Sequence, residues 1–222
     1  MNGPPLPPKG EIHLWVLEHQ KENTQWLSKE ELTTLNEYRF ASDRNRYAFT
    51  QSCKRQILGH YLHTLPQDLQ FQLGEFGKPT VRGLEFNISH SKGVSVLAVT
   101  NEQIVGVDIE VVRPQGDLLE LAQHIMSADE WEAFQGIPEP DQLRAFYQIW
   151  TAKEAYLKNL GIGLQVEPSK VESSFPQLTS IKTPRHPSLV LSERFLGNQQ
   201  QIFLATETSP ERILIFQKSE IE

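Results

Sequence analysis

Cysteine is nearly absent from the chain. Cys53 is the only one among 222 residues, which excludes an intrachain disulfide framework and any multi-cysteine zinc or iron–sulfur centre. Long apolar runs are missing as well: none exceeds four residues, as at Val96–Val99, against the ~20 a membrane-crossing helix needs. The start of the chain has Pro4, Pro5, Pro7 and Pro8 in place of the basic and apolar regions of a secretory leader. A cytoplasmic protein is therefore expected. Positive charge is in short supply, with 21 Lys and Arg against 28 Asp and Glu and a net charge of −7. That balance excludes a general nucleic-acid binder, whose phosphate contacts require a basic face. What is present is an ordinary globular composition, 38% hydrophobic and 22% charged. Such a chain can bury a core in one large domain or two small ones.

One segment reverses the charge. Arg39, Arg44, Arg46, Lys54 and Arg55 stand against the single acid Asp43, a pattern that suits either a solvated helix face or a site for a compact anion. Alternation predicts strands at Ile12–Leu17, Phe86–Ser89, Val94–Thr100 and Gln103–Glu110, the last two joined as a hairpin at Asn101-Glu102. Ser28 with Glu31, and Ser127 with Glu130, are capping boxes that open helices. Asp43 is the expected cap of a helix reaching His63, and Asp141–Leu160 is a long helix stopped by Gly161. Further strands are expected at Gln201–Thr206 and Arg212–Phe216, with 168–200 irregular. A shift of 99 residues superposes Ser28 on Ser127, Glu31 on Glu130, Lys54 on Lys153 and Leu58 on Leu157. The expected fold class is thus α+β, a pseudo-twofold duplication of two similar α/β halves, 1–102 and 103–222. Each half is a small, mostly antiparallel sheet packed with a long helix.

Three stretches carry chemistry. In Gly106-Val-Asp108-Ile-Glu110 the two carboxylates share one face of a strand. Hard oxygen donors without nearby His or Cys select Mg²⁺ or Mn²⁺; the plain alternative is an acidic strand end in solvent. In the helix around Trp150, the core-facing Lys153 requires a carboxylate partner, which an acidic strand nearby would supply. Glu154 and Lys158 follow at a spacing of four, by themselves an ordinary surface pair. In Asn87-Ile-Ser89-His90-Ser91 no glycine elbow surrounds the serine, so a hydrolase nucleophile is disfavoured, while hydroxyls and an imidazole at a strand end suit phosphate oxygens. Gly77-Lys78-Pro79 is not a P-loop, because Pro79 stands where Ser or Thr belongs.

In this order and spacing, Gly-Lys-Pro, Phe-Asn-Ile-Ser-His-Ser, Gly-Val-Asp-Ile-Glu and Trp-x-x-Lys-Glu-Ala resemble the 4′-phosphopantetheinyl transferase superfamily, and the length resembles its Sfp-type (surfactin-synthetase-activating) branch. The resemblance implies an enzyme that moves the phosphopantetheine arm of coenzyme A onto a carrier-protein serine, releasing adenosine 3′,5′-bisphosphate. By motif match it implies Mg²⁺ on Asp108, Glu110 and Glu154, with Glu154 as base, Lys158 approaching the pyrophosphate and Lys153 positioning the acidic cluster. Coenzyme A contacts are implied for Arg46 at the 3′-phosphate, Lys78 and Pro79 at the adenine-side loop, and Ser89 and His90 at phosphates. Where the pattern can offer lysines this chain has Thr33 and Asn36, for which Arg39 or Arg44 would compensate. The implied partners are acyl carrier protein or the carrier domains of fatty-acid, polyketide or nonribosomal peptide synthases, docking near Leu118–Met126 of a monomer. Neither nucleic acid nor a membrane is an implied partner. The alternatives are a non-catalytic relative that binds coenzyme A or carrier, and a metal-dependent phosphohydrolase.

Overall fold

The computed structural model describes residues 3–21, 23–197 and 199–221. In chain order these form β1 (Glu11–Glu18), α1 (Lys29–Glu37), α2 (Ala41–Tyr61), β2 (Gln72–Leu73), β3 (Pro79–Thr80), β4 (Glu85–Ser91), β5 (Val94–Thr100) and β6 (Val105–Val111). There follow α3 (Leu118–Ile125), α4 (Ala128–Gln135), α5 (Glu139–Leu160), β7 (Glu172–Ser173), β8 (Ser180–Thr183), β9 (His186–Leu196), β10 (Gln200–Thr206) and β11 (Arg212–Gln217). One sheet has the order β11-β1-β5-β4 and the second β6-β10-β9-β8-β7; β2 and β3 form a separate two-stranded ribbon. The fold is α+β. No described helix is long and apolar enough to cross a membrane.

Alternating side chains arrange these elements into four layers. Trp15, Leu17, Leu97 and Val99 turn toward Phe49, Cys53 and Ile57 of α2, while Leu14, Val16, Val96 and Ala98 face Val107, Ile109, Ile202 and Leu204 of the other sheet. Behind that sheet, Phe203, Ala205 and Leu191 receive Ala152, Ala155 and Tyr156 of α5. β5 has apolar neighbours on both faces, which explains its unbroken burial. Both capping boxes form as expected, each serine side chain accepting from the backbone N–H three residues on.

Three local expectations are corrected. β5 and β6 are not a hairpin: they belong to different sheets and meet face to face, because each buries apolar side chains that edge pairing would leave uncovered. The hairpin is β4–β5, turning at Lys92-Gly93 with Gly93 at φ 82°. α2 opens at Phe40 without a side-chain cap, and Asp43 inside its first turn bonds Arg46 instead. Within 168–200, β9 runs for 11 residues; Pro187 is its second residue, near a strand end where a missing N–H is tolerated. At the far end of the chain, β11 adds to the first sheet parallel to β1.

A small residue sets the spacing of the site. A Cβ on Gly106 of β6 would lie 2.0 Å from the Ala155 carbonyl oxygen and 2.4 Å from the Asn159 nitrogen, both backbone atoms of α5. Only hydrogen lets β6 and α5 approach this closely. Gly106→Ala is expected to cost ~3 kcal/mol, the upper end of ordinary overpacking, measurable as a lowered urea midpoint with an unchanged slope.

Candidate active site

The site lies where the edge strand β4 of one sheet meets the edge strand β6 of the other, beneath the second half of α5. Polar side chains on one face of β4 join the two strands. Asn87 Oδ1 accepts from the Val107 N–H at 2.8 Å, Ser89 Oγ donates to Asp108 Oδ1 at 2.7 Å, and Ser91 Oγ donates to Glu110 Oε2 at 2.8 Å. The spacing of two, which defines one face of a strand, was visible in the sequence. That this face meets a second sheet's edge was not.

Asp108 is 3% exposed. Its Oδ1 also accepts from Lys158 Nζ at 2.5 Å, and Lys158 donates as well to Ser89 Oγ at 2.8 Å. Its other oxygen, Oδ2, is buried without a hydrogen-bond partner. An orphaned carboxylate oxygen is costly and calls for an explanation, such as a catalytic role or a bound ion. Glu110, the second carboxylate on this face of β6, accepts weakly from Trp150 Nε1 at 3.4 Å. Half-buried Glu154 stands on α5 one turn before Lys158. Burial, and after it the neighbouring Asp108 charge, raises the pKa of both Glu110 and Glu154. Burial likewise raises that of Asp108, against the pull of Lys158. Three carboxylates thus share a partly dry region with one ammonium. That donor set, with the open Oδ2, fits a divalent hard cation. The fit lies in the chemistry of the donors and not in their spacing: among the described residues, no group of three His, Cys, Asp or Glu side chains is arranged to hold a metal ion.

On the opposite face of β4, His90 meets α2. Arg46 Nη1 donates to His90 Nε2 at 2.7 Å, and its Nη2 donates to Asp43 Oδ1 at 3.2 Å. Because a guanidinium only donates, His90 is neutral with its proton on Nδ1. Part of the ring reaches solvent, yet desolvation of the imidazole, followed by the charges of Arg46, Lys158 and His19, lowers its pKa to about 4. The donor geometry of Arg46 independently requires that direction. Ser89 and His90, adjacent in sequence, therefore address opposite sides of the strand.

Lys78 is directed elsewhere. Its Nζ donates to the carbonyls of Asn159, at 2.9 Å, and Val105, at 3.3 Å, and burial lowers its pKa to about 8. It binds its loop to the C-terminal end of α5, where carbonyls and the helix dipole favour a cation. Half-buried Pro79 pairs with Leu73 in the β2–β3 ribbon. Arg44 donates to the Tyr38 carbonyl and Arg39 lies over the Phe40 ring, so neither joins Arg46.

The partner of Lys153 is a correction. Its fully buried Nζ pairs with Glu130 of α4 at 2.6 Å, not with the acidic strand, and donates to the carbonyls of Ile125 and Pro168. Burial lowers the Lys153 pKa while Glu130 pulls it back up. Glu130 serves this ion pair and the capping box of α4 at once. Met126 of the expected docking segment is also corrected: at 3% exposure it belongs to the core beside Phe134 and Phe146, whereas Leu119, at 56%, and Leu121, at 42%, are the exposed large hydrophobic side chains of that segment.

Comparison with known proteins places this geometry in context. A family model described as the 4′-phosphopantetheinyl transferase superfamily matches residues 104–215, which include Asp108, Glu110, Glu154 and Lys158. The 4′-phosphopantetheinyl transferase HetI of Nostoc sp. is 34% identical over 166 residues, 69% of this chain and 70% of its own. AcpT of Escherichia coli is 35% identical over 147 residues, covering 65% and 68% respectively. Sfp of Bacillus subtilis is 29% identical over 153 residues, covering 66% and 67%.

Proposed function

The chain belongs to the 4′-phosphopantetheinyl transferase superfamily, and from that membership we propose how its residues divide the work of the reaction. The protein is a transferase that moves the phosphopantetheine arm of coenzyme A onto a serine of a carrier protein, converting apo carrier to holo. Atoms balance simply: the serine oxygen forms a bond to the β-phosphorus, the pyrophosphate bond breaks, and adenosine 3′,5′-bisphosphate leaves with its electron pair. Asp108, Glu110 and Glu154 would hold Mg²⁺ or Mn²⁺, whose chemistry when bound is neutralisation of charge on the pyrophosphate. The observation that carries this assignment is the buried, unpartnered Asp108 Oδ2 beside two further carboxylates.

Glu154 is the base that takes the serine proton, and a pKa raised by burial and by Asp108 makes its carboxylate a better acceptor. Lys158, within hydrogen-bond reach of Ser89 and Asp108, orients the Asp108 carboxylate and offers its ammonium to the pyrophosphate. Ser89 and His90 take phosphate oxygens on either side of β4. Lys78 acts on coenzyme A through the 74–79 loop that it anchors, with Pro79 on the adenine side. A non-catalytic binder needs no base next to the carboxylates, and a phosphohydrolase needs no carrier. Mass spectrometry of apo carrier incubated with the protein, coenzyme A and Mg²⁺ is expected to show the gain of one phosphopantetheine. An unmodified carrier would overturn the reading, whether or not coenzyme A is cleaved.

Arg46 reads the 3′-phosphate in this assignment. Arg46→Ala is expected to raise KM for coenzyme A ~10-fold or more, the worth of a charge-assisted bond, and to affect 3′-dephospho-coenzyme A much less. Carrier domains of fatty-acid, polyketide or nonribosomal peptide synthesis would dock on α3 of a cytoplasmic monomer. Leu119→Asp is expected to raise KM for carrier several-fold, since charge on an apolar docking side chain must be desolvated. KM for coenzyme A should not move, and equal carrier kinetics would remove α3 from the interface.

A further inference from the structure

The end of β1 carries a group that the motifs do not include. The His19 N–H donates to the Gly93 carbonyl at 2.8 Å, continuing the β1–β5 pairing by one residue. Its Nε2 lies 2.8 Å from Ser95 Oγ, which in turn lies 3.0 Å from Thr50 Oγ1 of α2. The ring also meets Phe49 edge-on. Ser95 is fully buried, so the imidazole is held by a fixed partner and is not a loose surface side chain.

Ser95 is also the register partner of His90 across β4 and β5. His19 and His90 therefore stand on either side of one serine, on the face of the sheet that α2 covers, and Arg46 of α2 bonds His90 from above. Electrostatics agree with the register, since Arg46 acts on His19, and His19 on His90. Glu18, the adjacent acid, points to the other face of β1 by alternation. Asp43 is engaged with Arg46. Two imidazoles and one guanidinium thus converge with a single surface carboxylate among them. Such a group can receive a compact anion through hydrogen bonds from both rings and the guanidinium, whose charge Asp43 shares. Arg39 and Arg44 turn to Phe40 and Tyr38, and Lys54 and Arg55 pair with Glu31, which leaves Arg46 as the basic side chain of the Arg39–Arg55 segment at this group.

We propose that His19 is a specificity-determining residue that contacts the 3′-phosphate of coenzyme A together with Arg46 and His90. This rests on the reading that Arg46 faces that phosphate. The test compares carrier modification with coenzyme A and with 3′-dephospho-coenzyme A for the unaltered protein, His19→Ala, His19→Gln and Arg46→Ala. Both His19 variants are expected to raise KM for coenzyme A roughly tenfold and to leave KM for the dephospho substrate within about twofold. Glutamine can keep the bond to Ser95 but cannot carry charge, so its loss separates phosphate contact from packing. Equal losses with both substrates, no loss with either, or full rescue by glutamine would overturn the proposal. If Arg46→Ala fails to discriminate the substrates while the His19 variants do, the Arg46 reading falls and His19 stands. The reverse pattern removes His19 alone.

Discussion

Asp108→Ala and Glu154→Ala are each expected to abolish phosphopantetheine transfer while the protein remains folded. Asp108 supplies, among the described residues, the only buried carboxylate oxygen that no donor satisfies, and it fixes Lys158 through its other oxygen. Removing it leaves the Lys158 ammonium with Ser89 alone and takes one of three carboxylates from the region proposed above to hold the divalent cation. In the proposed assignment Glu154 supplies the second carboxylate and the acceptor for the serine proton. Loss of either should lower kcat by ~10³-fold or more, about 4 kcal/mol of transition-state stabilisation. The measurement is kcat at saturating coenzyme A, carrier and Mg²⁺, with circular dichroism to verify folding. Near-normal kcat in either variant would remove that residue from the catalytic set. The two need not behave alike in metal affinity. Asp108→Asn keeps the shape and the Ser89 contact but loses the charge, and should fail like alanine.

Breaking the Glu130–Lys153 pair is expected to have the largest effect on stability. Both side chains are almost wholly removed from water, at 2% and 0% exposure. Glu130 also accepts from the backbone N–H groups of Ser127 and Ser173, so one carboxylate caps α4, ties down β7 and neutralises α5. Glu130→Gln or Lys153→Met leaves an uncompensated buried charge and should cost about 3–5 kcal/mol. The double replacement Glu130→Gln/Lys153→Met removes both charges and should cost less than the two single losses added together. Urea denaturation of all three variants forms the cycle. Fully additive losses would show that the pair is not coupled. Because Lys153 immediately precedes Glu154, surviving single variants should also lose activity beyond their unfolded fraction.

Much of this protein was legible before its structure. Asp108 and Glu110 share a face because a strand alternates. Glu154 and Lys158 share one because a helix returns after four residues, and both capping boxes mark true helix starts. Each of these follows from local geometry and residue type. The same logic separates Ser89 from His90, although only the neighbouring elements reveal what each meets. The hairpin expected at Asn101-Glu102 shows where local pattern ends: two adjacent alternating strands look alike whether they pair edge to edge or pack face to face.

What the sequence by itself determined is therefore the set of secondary-structure faces and the chemistry on them, since these depend on backbone period and side-chain type. Family membership, too, was visible in four short motifs. Only the tertiary structure decided that β4 and β6 bring their edges together, that Gly106 lets α5 close over them, and that Lys153 turns to Glu130. It also decided that Met126 is buried while Leu119 and Leu121 stay exposed, and that His19 bonds Ser95, the register partner of His90. These contacts join residues far apart in the chain. They are selected by which apolar faces can be buried at once, a competition among all elements that no single segment records.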